Sequence, residues 1–176
     1  FYTGESYEQA LSFVSGFDQS SIYFLNFDDS DLKCRKYAVN QEWMMTIAYY
    51  RGSLDAYKEH PTVQKLIAQS RACDYIIAPI ADNRMFQIIN AFINGELTDE
   101  QCKHCLAATN LGMQYILTSE QAVAKTRQIE RGYISANERE YFKKLRSDEA
   151  KLGDDKVKLA RKQYRGQGLY IDEILV

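Results

Sequence analysis

Several common motif-borne chemistries have no carrier in this sequence. There is no Gly-x-Ser-x-Gly elbow, no phosphate loop, no Gly-x-Gly-x-x-Gly fingerprint and no His-Glu-x-x-His, so the serine-hydrolase, P-loop, dinucleotide-fold and zincin readings lose their usual signatures. Histidine is limited to two residues, His60 and His104, and no cysteine is matched to either as a Cys/His hydrolase would require. The four cysteines, Cys34, Cys73, Cys102 and Cys105, are scattered through predicted strand and helix, a usage that suits a reducing, cytoplasmic setting better than a disulfide framework. Cys102-Lys-His-Cys105 supplies half of a zinc set, but a structural site needs four ligands and His60 lies in an unrelated segment. The expectation there is a helix with two half-buried thiols and no metal. No apolar run approaches the roughly 20 residues of a membrane span. A net charge of −2 gives no global attraction to nucleic acid or to an anionic bilayer.

What is present is a chain of 176 residues, 45% apolar and 12% aromatic, enough for one domain with a sizeable core plus an appendage. Phe1-Tyr-Thr-Gly4 reads as the end of a strand, and Ser6 with Gln9 opens a helix over about 6–16. Ser21–Phe27 is rich in aromatic and β-branched residues, as a buried strand would be. A short strand is predicted near Leu32–Tyr37, a helix over Gln41–Arg51 and another over 61–71 with Pro61 in its first turn. Asp74-Tyr-Ile-Ile-Ala78 predicts a central strand, ended by Pro79. Met85–Ile93 predicts a helix stopped by Asn94-Gly95, and Thr98 with Gln101 opens the next. Gly112–Leu117 reads as a strand, after which Thr118 with Gln121 caps a further helix.

From about residue 133 the character changes. Ser135 with Glu138 opens a charged stretch running through Lys162, read as a helical hairpin or one long bent helix broken near Gly153. Bases such as Arg139, Lys143, Lys144, Arg146, Lys158 and Arg161 outnumber acids there, with Tyr141, Phe142 and Tyr164 interleaved. Such a surface suits phosphates or an acidic partner, and equally an ordinary solvated face with ion pairs one turn apart. The closing Gly168-Leu-Tyr-Ile-Asp-Glu-Ile-Leu175 turns apolar again, which predicts that the tail docks back on the core.

Two motifs carry a resemblance. Cys73-Asp-Tyr-Ile-Ile-Ala-Pro-Ile-Ala-Asp-Asn-Arg-Met-Phe86 and Leu111-Gly-Met-Gln-Tyr-Ile-Leu-Thr118, in order behind Phe-Tyr-Thr and a Trp-containing helix, resemble a family of uncharacterised bacterial domains. Those domains are classed with the ADP-ribosyltransferase fold and associated with toxin–antitoxin pairs. The resemblance covers nearly the whole chain. It implies an α+β fold with a split β-sheet over about residues 1–132, a further strand upstream of Phe1, and a charged helical tail over 133–176.

For function, the resemblance implies NAD as co-substrate, with ADP-ribose transferred to a macromolecule and a small antitoxin-like protein as a possible partner. Tyr2, Thr3 and Phe13 fall where such enzymes line the nicotinamide pocket. Gln114 falls where active transferases carry the glutamate that holds the ribose hydroxyl. Asp82, Asn83 and Arg84 match the family's polar strand end, at the edge of the cleft. Cleaving the nicotinamide–ribose bond develops positive charge on the ribose, which a carboxylate stabilises and a glutamine does not. The alternative is therefore a module of the same fold without chemistry, binding a partner protein or, through the basic tail, nucleic acid. By type and spacing alone, Tyr2, Phe13 and Trp43 are core residues, Asp82 or Asn83 is a helix cap, and Gln114 faces solvent.

Overall fold

The computed structural model describes residues 2–17, 20–108 and 112–176. Phe1 and Leu111, which open two of the sequence motifs, lie outside the described residues. The chain is a mixed α+β fold with two open sheets. In order it runs β1 (Tyr2–Gly4), α1 (Tyr7–Val14), β2 (Ser21–Phe27), β3 (Cys34–Lys36), α2 (Gln41–Tyr50), α3 (Pro61–Arg71), β4 (Tyr75–Pro79), α4 (Asn83–Ile93), α5 (Asp99–Ala107), β5 (Met113–Leu117), α6 (Glu120–Ala124), β6 (Thr126–Tyr133), α7 (Ala136–Gln163) and α8 (Ile171–Ile174).

The larger sheet has the order β1-β5-β4-β3, with β3 parallel to β4 and the other pairs antiparallel. All five residues of β4 are buried, as its unbroken apolar run predicts for an inner strand. Successive side chains alternate between faces. Ile76 and Ala78, with Ile116 of β5, therefore turn toward α2 and α4, while Tyr75, Ile77 and Leu117 turn toward α6. The first face carries the main core, built on Trp43, Met44, Ile67, Ile89, Phe92 and Leu106.

Helix boundaries follow their caps. Ser6, Asn40, Asp82, Thr98 and Ser135 each accept a backbone N–H from the first turn of the helix they precede, satisfying a donor that would otherwise be orphaned. The helix after β5 starts one residue later than expected. Ser119 is its cap, because the Thr118 hydroxyl donates instead to the Cys73 carbonyl at 2.8 Å. Gly95 adopts φ 73° behind α4, the left-handed stop its position predicts.

Two further expectations are corrected, and one strand is added. Ser21–Phe27 is a strand, but only Ile22 is buried in it, since β2 pairs with β6 in a separate two-stranded ribbon. The β6 strand carries no sequence signal, because both its faces are largely exposed and it lacks apolar alternation. The charged tail is one unbroken 28-residue helix, which passes straight through Gly153. Beyond it Ile171 and Leu175 are buried in the main core.

Candidate functional site

The inward face of the larger sheet is only partly covered by helices. Where cover is missing it forms the floor of a cleft of about 1380 Å³. The row Gly4–Gln114–Ala78 crosses three strands, so Gln114 has a glycine and an alanine as its lateral neighbours. Its amide therefore stands between the Gln9 side chain, which fills the space over Gly4, and the buried Ala78. Gln114 is half-buried, and its Nε2 reaches the Pro79 carbonyl at a long 3.4 Å. It faces the cleft rather than bulk solvent.

One wall comes from α1. Phe13 is 42% exposed and lines the cleft, so the core reading fails for it. The Arg146 guanidinium lies 5.7 Å from the Phe13 ring centroid, within cation–π range. Gln9 fixes this wall to the floor. Its side chain accepts from the Glu5 N–H and donates to the Met113 carbonyl, each at 2.7 Å. A Cβ on Gly4 would stand 2.6 Å from Gln9 Oε1, and one on Gly112 would crowd Nε2. These two glycines make room for the brace. Sequence spacing identified Gln9 only as half of a capping box; the bridge to β5 requires the sheet.

The opposite wall is one face of α2, with Trp43, Thr46, Ile47 and Tyr50 at helical spacing. Trp43 is 1% exposed, as a core residue should be. Its indole N–H nevertheless has no acceptor among the described residues, an omission that costs about 1–3 kcal/mol for a buried donor.

The β4–α4 junction closes one end, and its three polar residues divide in role. Asp82 Oδ1 accepts the Met85 N–H at 2.9 Å, so Asp82 is the cap of α4. Arg51 holds the junction from α2, donating to the Ala81 carbonyl at 2.7 Å and to Asn83 Oδ1 at 3.5 Å, with its guanidinium 4.6 Å from the Phe86 ring centroid. Arg84 turns to α7, against Gly153, and pairs with Asp154 at 3.5 Å. Gly153 is buried mid-helix, where glycine costs about 1 kcal/mol relative to alanine. A Cβ there would stand 2.6 Å from Arg84 Nη1, so the bare backbone serves as a notch for the guanidinium.

The roof is the first half of α7, which contributes Phe142, Leu145, Arg146 and Glu149. With Arg51, Arg71 and Arg84, it gives the lining four guanidinium groups beside the carboxylates Glu8, Asp82 and Glu149.

The structure thus brings Phe13, Asp82, Asn83, Arg84 and Gln114 to one cleft. Thr3 is not among them: it pairs with Tyr115, which places it on the opposite face of the sheet from Gln114. Tyr2 pairs with Ile116 through its backbone. Arg51, Trp43 and the α7 residues are members that sequence reasoning did not assign. Signals for them existed only in part, as the helical face of α2 and the isolated glycine in a charged run. Cys102 and Cys105 are fully buried rather than half-buried. Burial pushes both thiols above the usual range, and among the described residues no three potential metal ligands converge. No helix among the described residues is long and apolar enough to cross a membrane.

No curated protein and no solved structure matches the chain. One family does, described as "Protein of unknown function (DUF3990)", and its match covers residues 1–127. The matched span contains the cleft floor, both walls and the β4–α4 junction, and it stops before α7. By that match over well more than half of its length, the chain belongs to the DUF3990 family of proteins of unknown function.

Proposed function

We propose that the cleft binds NAD and that the protein transfers ADP-ribose from it to a macromolecule, as the toxin half of a bacterial toxin–antitoxin or defence pair. The observation that carries this reading is a single cleft lined by the half-buried Gln114 amide, the exposed ring of Phe13 and the guanidinium of Arg84. Those are the residues that the ADP-ribosyltransferase resemblance assigns to the ribose, the nicotinamide and the cleft edge. A volume of about 1380 Å³ exceeds the roughly 300–1,000 Å³ common for drug-sized ligands, and so suits a dinucleotide.

In this reading Gln114 donates and accepts hydrogen bonds at a ribose hydroxyl and fixes the sugar. Phe13 offers a flat apolar face for the pyridine ring, and Arg84 neutralises phosphate charge. Asp82 acts indirectly, by capping the helix that carries Asn83 and Arg84. Bond cleavage develops positive charge on the ribose, and the neutral amide of Gln114 supplies no countercharge. The carboxylates of the lining are Glu8, Asp82 and Glu149.

A second reading is supported by that same amide, together with the helix lying across the cleft. In it the fold binds without chemistry, and the exposed basic face of α7 serves a partner protein or nucleic acid. The two part in one experiment, incubation of the protein with labelled NAD and a cell lysate beside Gln114→Ala. Transfer of label and release of nicotinamide, both lost in Gln114→Ala, support the enzyme. Absence of both turnover and calorimetric NAD binding sinks it and leaves the binding module.

A further inference from the structure

We propose that the open face of the β2–β6 ribbon binds single-stranded nucleic acid, with bases stacked on the rings of Tyr23 and Tyr133 and the Arg131 guanidinium between them on a phosphate. The proposal is separate from the reading of the cleft and stands whether or not the cleft binds NAD.

The first observation is which face of the ribbon is free. Ser21–Phe24 pair in regular register with Tyr133, Gly132, Arg131 and Glu130, up to a bulge between Phe24 and Leu25. Alternation places Ile22, Phe24, Glu130 and Gly132 on one face and Ser21, Tyr23, Arg131 and Tyr133 on the other. The first face turns inward. Ile22 is buried, the Phe24 ring stacks on Tyr7 of α1 with centroids 5.8 Å apart, and a Cβ on Gly132 would touch the Phe24 ring at 3.4 Å. The second face turns outward: Tyr23 is 50% exposed, Tyr133 is 73% exposed, and Arg131 is exposed as well.

The second observation is how that outer face is arranged. The Arg131 guanidinium lies 5.5 Å from the Tyr23 ring centroid and 4.9 Å from that of Tyr133, within cation–π range of both. Its Nε and Nη2 donate to Ser21 Oγ at 3.2 and 3.0 Å, which holds one edge of the fork and leaves Nη1 out of both bonds. Two rings and one guanidinium thus stand side by side on an exposed ribbon, ordered before any ligand arrives. Aromatic faces stack unpaired bases of any sequence, and a guanidinium between them pairs with the backbone phosphate. Arg131 is the only charged residue of this regular outer stretch, so a polyanion meets a countercharge there and no carboxylate. A stable protein partner covers about 20–30 residues a side, far more than these four side chains. A duplex hides its base faces inside its own stack.

The test is fluorescence anisotropy of the full chain with labelled oligo(dT) and oligo(U) of about 12 nucleotides, beside a duplex of the same length. Binding of a single strand of either kind is expected, with the duplex about tenfold weaker or more. Tyr23→Ala and Tyr133→Ala should each weaken binding about tenfold, whereas Tyr23→Phe and Tyr133→Phe, which keep the rings, should bind as the wild type does. Arg131→Gln should lower the slope of log affinity against log salt by about 0.7, the share of one phosphate contact on a single strand, and Arg131→Lys should restore it. The changed side chains are exposed, so the variants should melt with the wild type. Should an alanine variant fold poorly, the salt slopes of Arg131→Gln and Arg131→Lys still decide. No binding of either oligomer overturns the proposal, as does equal affinity for the duplex or wild-type affinity in both alanine variants. Binding that survives every ribbon variant but is lost in Lys151→Gln and Lys158→Gln assigns the nucleic acid to the basic face of α7 and overturns it equally.

Discussion

Residues 136–152 and 153–163 belong to one uninterrupted helix of similar charged composition, yet they meet the protein in different ways. The second stretch lays Gly153, Val157 and Ala160 on the core, with Tyr164 one turn beyond. These positions lie on one helical stripe, and their small or half-buried side chains let the backbone approach α5 closely. Extended toward the N-terminus, the same stripe becomes Arg146 and Phe142, which are too large for such an approach and reach the cleft instead. Leu145 and Leu152 of that half are 38% and 65% exposed. A helix can thus be structural along one half and a cover along the other without any break, because contact is decided residue by residue along the stripe.

The largest expected effect breaks this contrast at its strongest point. Ala160→Asp buries a carboxylate among the core residues and should cost about 3 kcal/mol, whereas Leu152→Asp should stay within ~0.5 kcal/mol. Equal shifts in thermal melting for the two variants would show that the halves are not differently anchored. Tyr164→Ala, which removes the stack on His104, should cost about 1–2 kcal/mol. Its counterpart on the roof side, Tyr7→Phe, loses only the hydrogen bond to Glu138 and should cost under ~0.5 kcal/mol, being at the weak end of the range for such bonds.

Thiol chemistry sharpens the comparison without disturbing the fold. The Cys105 thiol is buried against α7, with Sγ 3.6 Å from the Val157 carbonyl, and burial raises its pKa. At neutral pH it remains protonated and inaccessible, so iodoacetamide should label exposed Cys34 first and Cys105 only after the second half of α7 lifts. Ala160→Asp should speed Cys105 labelling and Leu152→Asp should not. Prompt labelling of Cys105 in the wild type, read by mass spectrometry, would contradict the docked geometry.

Much of the local structure was legible because its signals are local. The capping boxes at Thr98 and Ser135 form as their spacing predicts. The continuous run Tyr75–Pro79 is a buried inner strand, and Gly95 takes the left-handed stop. Reading failed where the deciding partner lies far along the chain. Thr118 forgoes its cap for the Cys73 carbonyl, β6 exists because β2 lies beside it, and Thr3 leaves the site because its register partner is Tyr115. The site divides in the same way. Gln114 and Arg84 were named from motifs, whereas Arg51, Gln9 and the roof of α7 required the assembled sheet and helices.

By itself, then, the sequence determined most of the helices with their caps and the inner strand, since each depends on residues within a few turns of one another or on a pattern along the chain. Only the tertiary structure decided which face of β5 meets the cleft, what stands over that cleft, and why a glycine stands in the middle of the charged helix. Gly153 offers nothing to a local reading except a weakened helix. Its reason is the guanidinium of Arg84, which arrives from another helix and occupies the space that any side chain would fill.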